Sequence, residues 1–234
     1  MAKVISNVRY APDISVLKVE GDYAGAMGQF YMLRCWDSFP VLSRPISIYD
    51  IGDGYIAFMF RIVGTGTELL SGLQPGDEVQ LEGPFGQGFP EVEGRIALVG
   101  GGMGTVPLYM AAKRYTQAEV FLGFSTAAFG VSAFEERTSQ VTVTVGAESI
   151  LEHVQPERYE YIFACGPHLM LEALAHKVEG TGVRLFLSAE KRMACGIGAC
   201  LVCSVQGTHG NRKVCKDGPV FEAGEVDWNA LHDL

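Results

Sequence analysis

Along residues 1–94 the apolar positions fall in short runs broken by Gly, Pro and Asp. Residues 14–19, 29–33, 55–62 and 78–82 are rich in β-branched, aromatic and long aliphatic side chains, and Gln74-Pro75-Gly76-Asp77 has turn chemistry. Closely spaced short strands with such turns predict an antiparallel β-barrel over this region. The rhythm then changes. Strand-like runs at 95–99, 119–124, 141–145, 159–164 and 183–187 alternate with helical patterns at 106–115 and 169–178. Alternation of this kind predicts βαβ units on a parallel sheet, an α/β domain over residues 95–188. Residues 189–234 break the pattern again and form a small third domain, with one short helical turn expected at 227–234. The fold class is multidomain, β followed by α/β.

That third region holds four of the six cysteines within 21 positions. Cys195-Gly196-Ile197-Gly198-Ala199-Cys200-Leu201-Val202-Cys203 is separated by eleven residues from Cys215. The spacing C-x₄-C-x₂-C with a remote fourth cysteine is that of plant-type [2Fe–2S] ligands. A four-residue loop must wrap closely round one edge of such a cluster so that its amides point at sulfur. Gly196 and Gly198 supply the backbone freedom for it. Amides donating to sulfur also favour the reduced, more negative cluster. The rival is a structural zinc site. Zinc bound by four thiolates usually sits between two C-x₂-C knuckles, and only Cys200 and Cys203 form one here.

Further motifs carry phosphate or nucleotide chemistry. Arg44-Pro45-Ile46-Ser47 stands where a strand should begin. Its guanidinium can pair bidentately with a pyrophosphate and its hydroxyl can add a hydrogen bond, although an Arg-Pro pair is also an ordinary strand edge. Gly64-Thr65-Gly66-Thr67 opens a helical stretch, capped by Thr65 or Thr67. It is either a plain turn or an anion site made by the free amides at Gly66 and Thr67. Residues 95–105 read as strand, glycine turn and helix start, the setting in which dinucleotide phosphates meet helix amides; Gly100, Gly102, Gly104 and Thr105 are the candidates. The pattern is G-x-G-x-G rather than the Rossmann fingerprint. No acidic residue follows the next strand to take a ribose, because Phe124 leads into Ser125-Thr126-Ala127. The missing Arg or Lys there favours NAD over NADP. Cys165-Gly166-Pro167 closes a predicted strand at the carboxyl end, where open α/β sheets bind ligands. Cys165 is either a small buried hydrophobe or a group facing a nicotinamide.

Charge and targeting signals narrow the classes. Lys and Arg number 18 against 27 Asp and Glu, a formal charge of −9, which argues against nucleic acid, since its phosphates need a basic stripe. The N-terminus shows no apolar signal core, and no apolar run reaches the length of a membrane span. The expectation is a cytoplasmic protein whose cysteines stay reduced, so a metal or redox role is favoured over disulfides. His153, His168 and the other histidines lack metal spacing and read as surface or capping residues. Cys35 reads as core.

In this order, Arg44-Pro45-Ile46-Ser47, Gly66-Thr67, the run at 73–79, Gly83-Pro84-Phe85-Gly86, the 100–105 turn and Cys165-Gly166-Pro167 resemble the ferredoxin-reductase superfamily. Glu190-Lys191-Arg192-Met193-Ala194-Cys195, the rest of the cysteine loop, and Val214-Cys215-Lys216-Asp217-Gly218-Pro219-Val220-Phe221 narrow the match. Over nearly its whole length the chain resembles electron-transfer subunits of type B dihydroorotate dehydrogenases. The resemblance implies FAD, a [2Fe–2S] cluster and NAD as substrate. It also implies a partner, an FMN-containing catalytic subunit that oxidises dihydroorotate, in a heterotetramer of two plus two. Electrons would run from that subunit through the cluster and FAD to NAD⁺, in pyrimidine biosynthesis. By the same resemblance Arg44, Pro45, Ile46, Ser47, Met59, Phe60, Arg61, Gly66 and Thr67 contact FAD, and Cys195, Cys200, Cys203 and Cys215 ligate the cluster. No nucleophile or general base is required, so no catalytic side chain is expected. One position departs: related reductases often carry Tyr where Ile46 stands, which removes an aromatic stack on the flavin. Two alternatives stay open. One is a reductase component serving an oxygenase or hydrogenase through the same cofactors; the other is a zinc-stabilised regulatory protein on a vestigial flavin fold.

Overall fold

Seven strands build the first sheet: β1 (Ala2–Ala11), β2 (Ile14–Glu20), β3 (Phe30–Arg34), β4 (Arg44–Ser47), β5 (Asp50–Gly52), β6 (Tyr55–Arg61) and β7 (Glu78–Phe85). Their order is β4-β3-β7-β1-β2-β6-β5 and every pairing is antiparallel. β4 also packs on β6, and Tyr49 N donates to Ala57 O at 2.9 Å, so the sheet curls into a barrel. Leu17, Leu33, Ile48, Ile56 and Phe58 fill it and are fully buried. Each such side chain contributes about 1.5–3 kcal/mol through the water it sheds. β1 had no counterpart in the hydrophobic pattern, because only Val4 of its ten residues is buried. Its polar Asn7 has a structural task. The Asn7 amide donates to the Leu70 and Leu73 carbonyls, at 2.9 and 3.0 Å, and so closes the end of helix α1 (Thr65–Gly72).

The second sheet comprises β8 (Ile96–Gly101), β9 (Glu119–Phe124), β10 (Val141–Val145), β11 (Tyr161–Cys165) and β12 (Arg184–Ser188), with helices α2 (Tyr109–Arg114), α3 (Val131–Glu135) and α4 (His168–Lys177) in the connections. These five strands pair in parallel in the order β10-β9-β8-β11-β12. All of β8 is buried, as a parallel strand covered on both faces should be. The helix expected over 106–115 is shorter than its apolar pattern. Residues Gly102–Leu108 wind as a 3₁₀ segment with Pro107 inside it, and the α-helix begins only at Tyr109. Proline has no N–H to give to an α-helical ladder, which accounts for the late start.

The C-terminal region forms a hairpin of β13 (Ser204–Gly207) and β14 (Gly210–Lys213), then returns as β15 (Val220–Glu222). β15 joins the parallel sheet as an antiparallel edge on β12, with Ser188 opposite Val220. Gln87 N donates to Gly218 O at 2.5 Å and ties the same strand to the barrel. The computed structural model describes residues 1–228, so the turn expected at 227–234 lies almost wholly outside the described residues. Among those described, no helix is long and apolar enough to cross a membrane.

Barrel and parallel sheet are joined by a buried polar clasp. Asp50 accepts from Lys113 Nζ at 2.5 Å and from the Tyr55 hydroxyl at 2.8 Å, while Tyr49 stacks on Tyr109 with centroids 4.7 Å apart. The lysine side chain is 31% exposed and the aspartate 13%. Lys113→Met leaves a largely buried carboxylate short of its cation and is expected to cost about 1–2 kcal/mol after allowance for solvent. In a denaturant series, Asp50→Asn combined with Lys113→Met should cost less than the two single losses added together. Strict additivity would show that the contact carries no coupling.

Candidate functional site

A cavity of about 480 Å³ opens between the barrel and the parallel sheet. Its barrel wall is Arg44, Pro45, Ile46 and Ser47 of β4, Met59, Phe60 and Arg61 of β6, and Thr67 of α1. These are distant in sequence and meet because β4 packs against β6 at the barrel's closure. Gly66 stands behind them, and the Arg44 guanidinium lies so close over its backbone that a side chain there would strike it. Thr67, not Thr65, caps the helix. Its Oγ1 accepts from Val63 N at 3.0 Å and Gly64 N at 3.2 Å, and donates to Gly64 O at 2.8 Å. The start of α1 and the Arg44 cation therefore face the same space, a combination that attracts anions. The opposite wall was not legible in the sequence as a wall. It is the segment 188–193, with Phe30 and Pro219 beside it.

A second cavity of about 510 Å³ lies at the carboxyl ends of β8, β9, β10 and β11. Gly102, Gly104, Gly166 and Pro167 line it. Gly100 and Thr105 line neither cavity: Gly100 is buried in β8, and the Thr105 hydroxyl donates to Gly102 O at 2.9 Å and locks the turn. Gly104 is held against the Cys165 carbonyl, with no room for a Cβ. The two cavities share Arg61, Met103 and Glu190, so they adjoin.

Cys165 lies in the wall of the first cavity and is 2% exposed. Burial, and then the nearby Glu190 carboxylate, push its thiol far up, so it stays protonated. Glu190 is an exposed residue that lines both cavities, and desolvation by the protein around it raises its carboxyl. No acid follows β9, but one stands in the loop after β10. Glu148 lines the second cavity, with its Oε1 2.7 Å from His153 Nε2. His153 is thus the partner of a cavity residue. His168, expected at the surface or in a cap, opens α4 with a side chain only 12% exposed, 3.7 Å from Glu172. Cys35 is half-buried against the barrel core, as expected, and burial raises its thiol to about 11.

The four C-terminal thiols gather as two pairs. Cys203 and Cys215 are buried with sulfurs 3.2 Å apart, and Cys195 is a hydrogen-bonding neighbour of Cys200. Gly196 and Gly198 both have positive φ, +71° and +80°, as the wrap of this loop demands. The turn aims amides at sulfur: Gly198 N donates to Cys215 Sγ at 3.1 Å, and the amides of Ile197, Cys200 and Ala199 donate to Cys195. Led by the Ile197 amide, these donors pull the Cys195 thiol down to about 6; burial, with Cys203 beside it, raises Cys215 to about 12. Among the described residues no three His, Cys, Asp or Glu side chains converge on one ion-sized point. A zinc tetrahedron needs its thiolates round one centre. Two amide-served pairs match a donor set divided between two irons.

The architecture defines a class. The fold is that of the ferredoxin reductases: it superposes on an NADH-dependent reduced ferredoxin-NADP oxidoreductase, solved in a study of flavin-based electron bifurcation, with a TM-score of 0.84 and 25% identity over 99% of this chain and 91% of that one. The FAD/NAD-binding domain of a nitric oxide dioxygenase from Vibrio cholerae shares the fold at a TM-score of 0.65, 13% identity, 78% of this chain and 93% of that one. Residues 190–227 match the iron-sulfur cluster binding domain of dihydroorotate dehydrogenase B. The chain is 40% identical to the dihydroorotate dehydrogenase B (NAD(+)) electron transfer subunit of Clostridium acetobutylicum, across 97% of this chain and 96% of the relative. It is 37% identical to that of Geobacillus thermodenitrificans, across 95% and 96%. The protein belongs to the family of dihydroorotate dehydrogenase B electron transfer subunits.

The contact at Gly104 gives a direct check on the cavity floor. Gly104→Ala must drive β11 and the glycine turn apart, an overpacking expected to cost about 1–3 kcal/mol. An unchanged urea midpoint would mean that the turn does not rest on the Cys165 carbonyl.

Proposed function

We propose that this chain is the electron-transfer subunit of a cytoplasmic dihydroorotate dehydrogenase, passing electrons from a separate FMN-containing catalytic subunit to NAD⁺ in pyrimidine biosynthesis. One observation carries the reading. The segment 188–193 walls the first cavity and runs directly into Cys195, two residues beyond Met193. Two residues span at most about 7 Å, so the thiol loop and the cavity are near neighbours whatever fills them. When bound, an iron–sulfur cluster supplies one-electron transfer, and FAD supplies the exchange between single electrons and the two-electron hydride of a nicotinamide.

The chain's own residues do the holding. Residues 1–94 hold FAD: Arg44 and the start of α1 neutralise the pyrophosphate, Ser47 adds a hydroxyl, and Met59 to Arg61 with Pro45 and Ile46 shape the wall for the ring. Residues 95–188 hold NAD, with Gly102, Gly104, Gly166 and Pro167 leaving space for its phosphates at the strand ends. The protonated Cys165 thiol presents a compact, uncharged surface in the wall of the first cavity. Residues 189–234 would hold the cluster through the thiolates of Cys195, Cys200, Cys203 and Cys215. Around the exposed Cys200, the side chains of Ile197, Leu201 and Val202 are also exposed. An apolar rim about the most accessible thiol suits the docking face of the catalytic subunit, in an assembly of two plus two.

Cys203→Ser in the assembled complex should abolish dihydroorotate-driven reduction of NAD⁺ and leave reduction of FAD by NADH largely intact. Equal loss of both would show that the cluster also holds the fold together. Arg44→Ala should loosen FAD about tenfold or more, read by flavin release, since a charge-assisted contact to phosphate is lost. Protein prepared without air that contains neither iron nor acid-labile sulfide would sink the assignment.

A further inference from the structure

β9 leads into Ser125-Thr126-Ala127 and carries no acid there, whereas the loop after its parallel partner β10 carries Glu148. We propose that Glu148 binds the adenosine ribose of the dinucleotide and rejects a ribose bearing a 2′-phosphate, making this carboxylate the residue that sets the NAD preference. The proposal rests on the reading of the second cavity as the NAD site.

The orientation follows from the cavity itself. Hydride exchange requires the nicotinamide to touch the flavin, so it occupies the end shared with the first cavity, at Arg61, Met103 and Glu190. The Gly102–Gly104 turn and Gly166-Pro167 take the middle, where phosphates belong. The far end is left for the adenosine. It is built from Ser125, Thr126, Gly146, Glu148 and Ser149. β9 and β10 run in parallel with Phe124 opposite Val145, which sets the loop after β10 beside the Ser125-Thr126 loop.

Of the residues lining this cavity, the charged ones are Arg61, Glu148 and Glu190. Two of them stand at the flavin end. At the adenosine end the charge is negative, and the lining there holds no cation. Glu148 is also held in place: Ser149 Oγ accepts from Leu151 N at 3.3 Å to cap the following turn, and that turn brings His153 Nε2 to 2.7 Å from the carboxylate. An ionised carboxylate accepts hydrogen bonds from both ribose hydroxyls. A phosphate on one of those hydroxyls would instead bring like charge against it, with His153 already engaged.

The test uses the flavin-loaded, cluster-loaded complex with its catalytic subunit. ADP-ribose and its 2′-phosphorylated analogue probe the adenosine half alone, by calorimetry and by competition with NADH. The intact chain should favour ADP-ribose by about tenfold or more. Glu148→Gln should erase most of that preference, and Glu148→Arg should reverse it. His153→Gln should move the ratio the same way by less, because it frees the carboxylate without removing it. Thermal midpoints and the flavin spectrum monitor folding of each variant. Should Glu148→Gln leave the ratio of the two dissociation constants unchanged while ADP-ribose still competes with NADH, the proposal fails and the NAD site stands. Should ADP-ribose not compete with NADH in the intact chain, the cavity assignment fails and takes the proposal with it.

Discussion

The pairing of β15 with β12 is the contact on which the electron-transfer geometry depends. The thiol region leaves the parallel sheet at Ser188 and re-enters it at Val220, and these two residues face each other in the ladder. Neighbouring strands lie about 4.8 Å apart, so both ends of the region are pinned at one edge of one sheet. Ala189 N donates to Pro219 O at 2.8 Å, and Val220 N to Gln87 O at 3.3 Å, which adds the barrel to the same knot. The distance from the thiols to the first cavity is therefore set by backbone hydrogen bonds rather than by a linker. A small region with too little apolar material for a core of its own also gains one this way. Val205, Val214, Cys203 and Cys215 are buried in the same cluster as Ala97, Ile162 and Leu187 of the sheet.

The two anionic groups of the assignment are met by different means. At the first cavity the protein supplies a cation, Arg44, together with the amides of α1. At the thiols it directs amides at sulfur, four of them at Cys195 and Cys215. Fixed dipoles need no counter-ion and do not reorganise when charge arrives, which suits a site whose charge changes by one at each transfer. The structure is consistent at both levels, since the loop that aims the amides is the loop whose spacing identifies the ligands.

What was legible in the sequence was what is local. The cysteine spacing, the Arg44–Ser47 element, Gly66-Thr67 and the strand–turn–helix at the glycines each depend on residues a few positions apart, and each stands in the structure as a contiguous unit. β1 escaped because a strand that buries one residue in ten leaves no alternation to detect. The segment 188–193 escaped as a cavity wall because its role comes from β12 ending opposite the barrel, a fact of topology. Glu148 escaped for the same reason. The rule that seeks an acid after the next strand presumes one fold's register, and here the parallel partner β10 brings its own loop alongside. The apolar pattern continues through Pro107, so the pattern alone runs a helix past the point where the missing N–H delays it.

At and beside the junction of the cavities, charge is partly offset. Arg61 is paired with Asp13 at 2.9 Å; crowding draws Glu190 toward its neutral form; Cys165 is held protonated by burial. A nicotinamide ring carries a positive charge when oxidised and none when reduced, so a fixed negative charge at this wall would favour NAD⁺ and a fixed positive one NADH. The Arg61–Asp13 pair and the desolvation of Glu190 each weaken such a fixed charge here. The junction thus biases the nicotinamide's charge state less than unpaired ions there would. The selectivity lies at the other end of the nucleotide, where a charge affects binding without biasing the reaction.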